Sequence, residues 1–338
     1  MRFNMIKYWF FPLAIITSSY ACVLISPYYF ILPYVWVLIL VPVLELFINK
    51  LNKKDNELLY SKGHDASLII VFPLLFLLLI LALLKINYLN LTYYESLFIG
   101  LGTGIAGGAV GITTAHELIH RKSKKMKAIG VALLAICFYS HFRIEHIYGH
   151  HIHVATKNDP ATARKGENFY KFLIRCVVTS YFSAWKIEKD ILSKKNLSFF
   201  SFKNRMIHYT IFNCLLFLFC FAVAELKGII FIFTHSAISI ILLEVVEYIQ
   251  HYGLTRERSI NGTLEKYHHS HSWNSRHSIA DWSTFNLGLH AEHHSISNKP
   301  YPLLSHGKKI REMPVNYPTM ILMALIPPIW FKVIDKKI

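Results

Sequence analysis

Residues 94–120 read YESLFIGLGTGIAGGAVGITTAHELIH, a long apolar run that ends in a pair of histidines. A membrane-spanning helix needs roughly 20 mostly apolar residues, and 94–115 meets that need. His116 and His120 follow at i and i+4, which places two imidazoles on one helix face, about 6 Å apart between Cβ atoms. The stretch therefore predicts a membrane span whose end presents two ligands for one metal ion. The glycines within it favour close packing against another helix.

The whole chain has the composition of a membrane protein. Of its 338 residues, 54% are hydrophobic and 17% are charged, against about 25% charged in an average soluble domain. The net charge is +16, and the basic residues lie between the apolar runs. That distribution fits loops beside a membrane better than a surface that binds nucleic acid. We predict an all-α polytopic protein with about six spans, at 8–26, 28–48, 67–88, 94–115, 206–224 and 228–248.

Basic residues predict the orientation of these spans. They follow the second, fourth and sixth spans, for example at Lys53 and Arg311, whereas the opposite loops are short and poor in charge. Cytoplasmic loops carry an excess of Lys and Arg. We therefore expect both termini and the segments 116–205 and 249–338 to lie in the cytoplasm, as a helical cap rich in histidine. The chain is interpreted as a single domain, 1–338, in a bacterial inner membrane.

Two further histidine clusters lie in these segments. EHIYGHH at 145–151 has histidines at i, i+4 and i+5. HAEHH at 290–294 has histidines at i, i+3 and i+4. A further histidine, His251, follows the sixth predicted span. One metal ion would have more ligands than it needs, so the spacing predicts a dinuclear site. Imidazole suits zinc, copper, iron and nickel, and the element stays open at this point.

Carboxylates accompany the histidines and are predicted to support them. Such groups commonly accept the second ring N–H of a ligating imidazole and so orient the ring. The candidates are Glu117, Glu145, Asp159, Glu247 and Glu292. Histidines near the clusters are expected to play supporting or interfacial roles: His141, His153, His268, His269, His271 and His277. The isolated His64, His208, His235 and His306 are interpreted as ordinary polar residues.

Two other metal functions have to be weighed. HELIH also matches the zinc protease pattern, in which two histidines bind zinc and the glutamate activates water, but most of the cluster histidines would then have no role. A metal transporter would place its ligands near the middle of spans, whereas these clusters lie at span ends. None of the five cysteines forms a C-x-x-C pair, so we expect any electron donor to be a separate protein.

Together these motifs resemble those of the membrane alkane hydroxylases (alkane 1-monooxygenases), within the membrane desaturases and hydroxylases that carry three histidine boxes. HELIHR at 116–121 is similar to the first box. The stretch 145–170, which contains EHIYGHHIHVAT and then DPATARKGENFY, is similar to the second box and the residues after it. QHYGL at 250–254 and SWNS at 272–275 resemble further signatures, and LHAEHHS at 289–295 resembles the last box. The similarity extends from about residue 111 to residue 304.

The resemblance implies a non-haem diiron monooxygenase that hydroxylates the terminal methyl of an apolar substrate, most simply an n-alkane to a 1-alkanol. Electrons would come from a rubredoxin or ferredoxin with its reductase, and the substrate would enter from membrane lipid. Fatty-acyl desaturation or hydroxylation, and methyl hydroxylation of aromatics or terpenes, are the alternatives. The nine implied iron ligands are His116, His120, His146, His150, His151, His251, His290, His293 and His294.

Four positions depart from the family pattern. Gln250 stands where Glu is common, Leu289 where Arg is common, Glu292 where Asp is common and Arg121 where Lys is frequent. None of these departures removes an implied ligand. We expect Gln250 and Leu289 to alter the tuning of the metal site, the choice of substrate or the docking of the redox partner.

Overall fold

The computed structural model describes residues 2–48, 60–257, 261–305 and 310–338. Lys53 and His306, which entered the predictions above, lie outside these ranges. Within the described ranges, five helical segments are long and apolar enough to cross a membrane: Met5–Leu24, Pro27–Glu45, Lys62–Tyr88, Tyr93–His120 and Arg205–His251. We call the first four of them spans 1 to 4.

The segment Arg205–His251 is a helical hairpin. Ala224 and Glu225 have non-helical backbone angles, with φ of −137° and 49°. Gly228 lies directly against the backbone of Cys220, where a side chain would collide with the Cys220 carbonyl. A charged residue in an apolar run, in a conformation that L-residues rarely adopt, marks the point where the chain turns back.

The two arms of this hairpin run antiparallel. Phe217 on the first arm and Phe233 on the second line the same cavity, although 16 positions separate them in the sequence. We call 205–223 span 5 and 226–251 span 6. The described residues thus contain six apolar helical arms, as predicted from the sequence.

Span 4 packs closely against span 6 through its glycines. A Cβ atom at Gly104 would lie 2.6 Å from Cβ of Ile238, and one at Gly108 would lie 2.8 Å from the carbonyl oxygen of Ser239. The hydroxyl of Ser239 donates to the carbonyl of Gly104 at 3.1 Å. The predicted close helix approach is confirmed. It brings the histidine-bearing ends of spans 4 and 6 together.

The spans and the cap of the described chain are built from short and long helices and one strand pair. The α-helices are Arg2–Leu24, Ile31–Val35, Val41–Glu45, Lys62–Ile69, Val71–Tyr88, Tyr93–Ala106, Thr113–His120, Lys124–Ile136, Phe142–Glu145, His151–His153, Phe169–Ser193, Arg205–His251, Ser278–Ser283, His290–Ser295, Tyr317–Ala324 and Pro327–Ile334. The 3-10 turns are Pro27–Phe30, His269–His271, Tyr301–Leu303 and Asp335–Lys337. Trp273–Asn274 and Arg311–Glu312 form a short parallel strand pair.

In the part of the chain that the structure describes, three π-helical turns interrupt the α-helical pattern, at Trp36–Leu40, Gly107–Ile112 and His146–His150. Such turns are rare and frequently occur at functional sites. Gly107–Ile112 directly precedes the turn of span 4 that carries His116, and His146–His150 contains two of the clustered histidines. The irregular backbone is therefore concentrated near the histidines.

Candidate metal centre

Four histidines form a first cluster, which we call cluster one: His116, His120, His146 and His293. One ring nitrogen from each lies within 4.8 Å of the others. The Nε2 atoms of His116, His120 and His293 are buried without a hydrogen-bond partner. Buried polar atoms normally have partners, and converging unpaired nitrogens are what a metal ion requires.

Four more histidines form cluster two: His150, His251, His290 and His294. The Nε2 atoms of His251 and His290 are 2.9 Å apart, those of His290 and His294 are 2.9 Å apart, and those of His150 and His294 are 3.2 Å apart. An imidazole nitrogen binds a metal such as zinc at about 2.0–2.1 Å, so two ligands at right angles on one ion lie about 3 Å apart. The observed separations fit that arrangement.

His151 lies between the two clusters. Its Nε2 is 3.1 Å from Nε2 of His146 in cluster one, and its ring centroid is 4.5 Å from that of His294 in cluster two. All nine histidines singled out in the sequence therefore meet at one place, in two adjacent groups.

Helical spacing predicts the members of each cluster only in part. The i, i+4 pair His116 and His120 shares a cluster, as the spacing suggested. His146 and His150, also at i, i+4, lie in different clusters, because the backbone there is π-helical and its repeat is i to i+5. His151, at i+5, is the residue whose ring nitrogen lies beside that of His146.

Asp159 orients one ring of cluster two. Nδ1 of His150 donates to Oδ2 of Asp159 at 2.9 Å. The same carboxylate accepts hydrogen bonds from the hydroxyl of Thr162 and the backbone N–H of Ala161. The contact matches the supporting role proposed for Asp159, and it leaves Nε2 of His150 to face the cluster.

Glu247 faces the ring nitrogens that point into the clusters. Its Oε2 atom lies 3.6 Å from Nε2 of His251 and 3.8 Å from Nε2 of His150, and it has no hydrogen-bond partner. Together with His146 and His150 it forms a third group of closely spaced donor atoms. Its position therefore suits a ligand that joins the two clusters, rather than a group that orients a ring from behind.

Two other glutamates are engaged elsewhere. Glu117 forms an ion pair with Arg121 at 2.9 Å and accepts the backbone N–H of Tyr301. Glu292 forms an ion pair with Lys299 at 2.6 Å and accepts a hydrogen bond from Ser305. A glutamate that activates water in a zinc protease would have to face the metal, so the Glu117 contacts oppose that alternative.

Glu145 is buried beside cluster one, and its Oε1 atom has no hydrogen-bond partner. Burial, with the nearby charge of Asp159, raises the pKa of Glu145 to about 8. His235, the histidine deep in span 6, contacts the hydroxyl of Thr103 at 3.1 Å, in agreement with its interpretation as an ordinary polar residue.

Burial keeps most of the clustered imidazoles neutral. Removal from solvent, together with the neighbouring histidines, lowers the pKa of His146, His151, His290, His293 and His294 well below the usual range. A metal ion binds the neutral ring through its lone pair. These residues are therefore ready to act as ligands at neutral pH.

His150 behaves differently from its neighbours. Burial lowers its pKa, but the charges of Asp159 and Glu247 outweigh that effect and raise it to about 9. Carboxylates that stabilise an imidazolium also attract a metal cation. Cluster two thus combines nitrogen donors with negative charge.

Phe142 was not identified from the sequence. Its ring stacks on that of His146 with centroids 4.6 Å apart, and it lies 6.4 Å from the ring of His116. Its position four residues before His146 was the available signal, because i and i+4 residues on a helix are neighbours. Phe142 forms an apolar wall of cluster one.

Comparison with known proteins identifies the family. Residues 96–321 match the family model for fatty acid desaturases. The chain is 38% identical over 239 residues to alkane 1-monooxygenase 1 of Pseudomonas aeruginosa, which covers 70% of this chain and 62% of that protein. It is 32% identical over 305 residues to alkane 1-monooxygenase of Acinetobacter baylyi, covering 89% of this chain and 74% of that protein. The chain belongs to the alkane 1-monooxygenase family, within the fatty acid desaturases.

Membership of this family, with its apolar helices, makes the chain an integral membrane protein. The chain spans a little over three fifths of the length of the Pseudomonas aeruginosa relative, 62%. A more distant relative is the xylene/toluene monooxygenase hydroxylase component of Pseudomonas putida, 30% identical over 233 residues, which covers 68% of this chain and 60% of that protein.

Proposed function

We propose that this chain is the hydroxylase of a diiron monooxygenase that converts an n-alkane to a 1-alkanol. One oxygen atom of O2 enters a terminal methyl C–H bond, and two electrons and two protons reduce the other atom to water. The observation that carries the proposal is the pair of adjacent histidine clusters, and an apolar cavity among the spans supports it.

The nine histidines are proposed to hold two iron ions. An all-imidazole set, with Glu247 beside it, suits iron as well as other first-row metals, and the family favours iron. When bound, the two ions would supply the activation of dioxygen. The chain supplies neutral, buried ligand nitrogens in fixed positions, and Asp159 holds the ring of His150 in one orientation.

An apolar cavity provides the binding site for the hydrocarbon. It is lined mostly by apolar side chains and lies among spans 1, 2, 4 and 6. Thr113 on its wall precedes His116 by three residues, about one turn of the same helix. Leu287, also on the wall, precedes His290 by three residues in a non-helical segment. Such a wall excludes water and directs one end of a bound hydrocarbon toward the clusters.

A separate redox protein, a rubredoxin or ferredoxin with its reductase, is proposed to supply the electrons. His120, His151 and His294 are the clustered histidines that are partly exposed, so the shortest route for electrons enters on their side. We further propose that 1–338 form one domain in a bacterial inner membrane, with this side and both termini in the cytoplasm. The basic loops described above support that orientation.

Methyl hydroxylation of an aromatic ring substituent is a second candidate. The similarity to the xylene/toluene monooxygenase component favours it. Fatty-acyl desaturation shares the same family model. The products separate these functions, because an n-alkane would give a primary alcohol, a methylbenzene a benzylic alcohol, and a desaturase an internal alkene.

The test is to purify the chain in detergent, determine its metals by elemental analysis and assay it with alkane, dioxygen, rubredoxin and reductase. We expect about two irons per chain, as a dinuclear site requires, and a primary alcohol as product. His146→Ala and His293→Ala should lose metal and activity, whereas the exposed His208→Ala should lose neither. One zinc per chain, unaffected by the two cluster variants, would overturn the proposal.

A further inference from the structure

A groove on the outside of the bundle lies between the helix Phe169–Ser193 and the hairpin of spans 5 and 6. It consists of two adjoining cavities of about 1110 Å³ and 790 Å³, open space included. Both cavities are lined by Phe138, Val177, Val178 and Ile240, which makes them one continuous groove. The substrate cavity lies on the other side of span 6, against Leu242, Leu243 and Val246.

The groove is apolar at one end and polar at the other. Phe217, Ile232 and Phe233 line the apolar end, and Phe233 is 73% exposed, so that end opens toward lipid. His141 and Asn213 line the polar end. Along span 5, the groove extends ~6 Å from Asn213 at the polar end to Phe217 at the apolar end. Along span 6, which faces it, the groove extends ~12 Å from Ile240 to Ile232. The groove thus has the shape of a site for a single chain with a polar head.

Two polar atoms at the polar end have no partner. His141 is only 7% exposed, and its Nε2 atom is buried without a hydrogen-bond partner. Oδ1 of Asn213 is also buried without a hydrogen-bond partner. Such unpaired atoms destabilise a protein unless a ligand or water satisfies them. A hydroxyl group both donates and accepts, so one hydroxyl can serve both atoms.

The described residues that line the polar end include no Lys, Arg, Asp or Glu. Burial lowers the pKa of His141 to about 4, and the ring is therefore neutral at physiological pH. A head group that carries a full charge would lose its hydration here without a partner of opposite charge. An uncharged hydroxyl meets no such penalty.

We propose that this groove binds a primary alkanol, with its hydroxyl between His141 and Asn213 and its alkyl chain toward Phe217 and Phe233, and so guides the product into the bilayer. The identification of the alkanol as the product rests on the proposed function. The polar end adjoins the metal centre, since His141 precedes Phe142, whose ring stacks on His146. His141 is therefore one residue from a side chain that contacts cluster one.

The test uses the full chain in nanodiscs and an alkanol with a photoreactive diazirine near the end of its tail. After illumination, labelled peptides are mapped by mass spectrometry. We expect labels at Phe217 or Phe233 that excess decan-1-ol suppresses and that decane, decanoate and added phospholipid do not. Suppression of labelling by decane or phospholipid to the same extent would mean that the groove is an unspecific lipid-facing surface. Suppression by decanoate would mean that the groove is an anion site. Each result would overturn the proposal.

Variants test the polar end separately from the groove as a whole. His141→Leu should raise the decan-1-ol concentration needed for suppression about fivefold, the effect of one lost hydrogen bond, and His141→Gln should restore it. Ala237→Phe should fill the groove and reduce labelling, whereas Leu218→Phe, on a lipid-facing side chain that is 58% exposed, should not. Asn213→Ala gives a second measurement if His141→Leu fails to fold.

Alkane turnover by the same preparation distinguishes the two proposals. If decane is not hydroxylated but labelling is still suppressed by decan-1-ol alone, the proposed function fails and the alkanol groove stands. If decane is hydroxylated and labelling is insensitive to decan-1-ol, the groove proposal fails alone.

Discussion

Nδ1 of His150 donates a hydrogen bond to Oδ2 of Asp159 at 2.9 Å, between two side chains that are 1% and 0% exposed. The bond directs Nδ1 toward the carboxylate and Nε2 toward cluster two, where a metal ion would replace the proton on Nε2. Asp159 is itself held by Thr162 and Ala161. The orientation of this ring is therefore fixed before any metal binds.

Asp159→Asn should weaken metal binding. The variant keeps an oxygen for the backbone N–H of Ala161, but the amide nitrogen that replaces Oδ2 donates and cannot accept. His150 therefore loses both its acceptor and the negative charge behind its ring. Loss of such a partner typically costs about 10–100-fold in metal affinity, and we expect a decrease of that size in a titration of the metal-free protein with ferrous iron. Asp190→Asn, an exposed aspartate on the helix Phe169–Ser193, is the matched control. Unchanged affinity in Asp159→Asn would contradict this role.

The two clusters should be separable by substitution. His120→Ala removes a nitrogen from cluster one only, and His251→Ala removes one from cluster two only. We expect each variant to weaken one of two binding steps in a calorimetric metal titration and to leave the other, and the double variant to weaken both. His208→Ala should change neither step. Loss of both steps in a single variant would mean that the clusters form one undivided site.

The spans were predictable because lipid imposes a simple requirement on composition. Each arm is an apolar run of sufficient length, and the turn between spans 5 and 6 falls where Glu225 and Lys227 interrupt the apolar sequence. Lys227 contacts Asn90 in the loop between spans 3 and 4, which places this turn at the end of the bundle opposite the histidines. Charge and hydropathy alone contain that information.

The division of the histidines between two clusters was not predictable in the same way. Spacing reports a shared face only while the helix is regular, and the π-helical turn at His146–His150 breaks that condition. Likewise, one partner of Glu117, the backbone N–H of Tyr301, is distant in sequence. Asp159 follows His150 by nine positions in a non-helical segment, so no periodicity connected the two residues.

Gln250→Glu should destabilise the protein, although glutamate is common at this position in the family. Nε2 of Gln250 donates to the carbonyl of Leu287 at 3.3 Å and to the hydroxyl of Tyr317 at 2.7 Å. A carboxylate cannot donate, so the Leu287 carbonyl would lose its partner at a cost of about 1–3 kcal/mol. We expect a lower thermal unfolding midpoint, measured in detergent by circular dichroism.

Tyr317→Phe is the control for this substitution. It removes the hydroxyl but keeps the hydrogen bond from Gln250 to Leu287, and it should therefore lower the midpoint less than Gln250→Glu does. The Leu287 bond connects span 6 to the segment that carries His290. An unchanged or raised midpoint in Gln250→Glu would show that the amide hydrogen bonds contribute nothing at this position.

Ala109→Phe should shorten the longest alkane that the protein accepts. Ala109 lines the apolar cavity on the π-helical turn of span 4, and a phenyl group there takes up space that a long chain needs. We expect the rate with long n-alkanes to fall at least about tenfold, the effect of one unfavourable pocket contact, and the rate with short ones to change less. Iron content should stay the same, because Ala109 lies about two turns from His116. Leu77→Phe, a lipid-facing residue of span 3 that is 48% exposed, controls for added bulk. If both variants hydroxylate long and short alkanes in the same proportion as the unmodified chain, the cavity is not where the hydrocarbon binds.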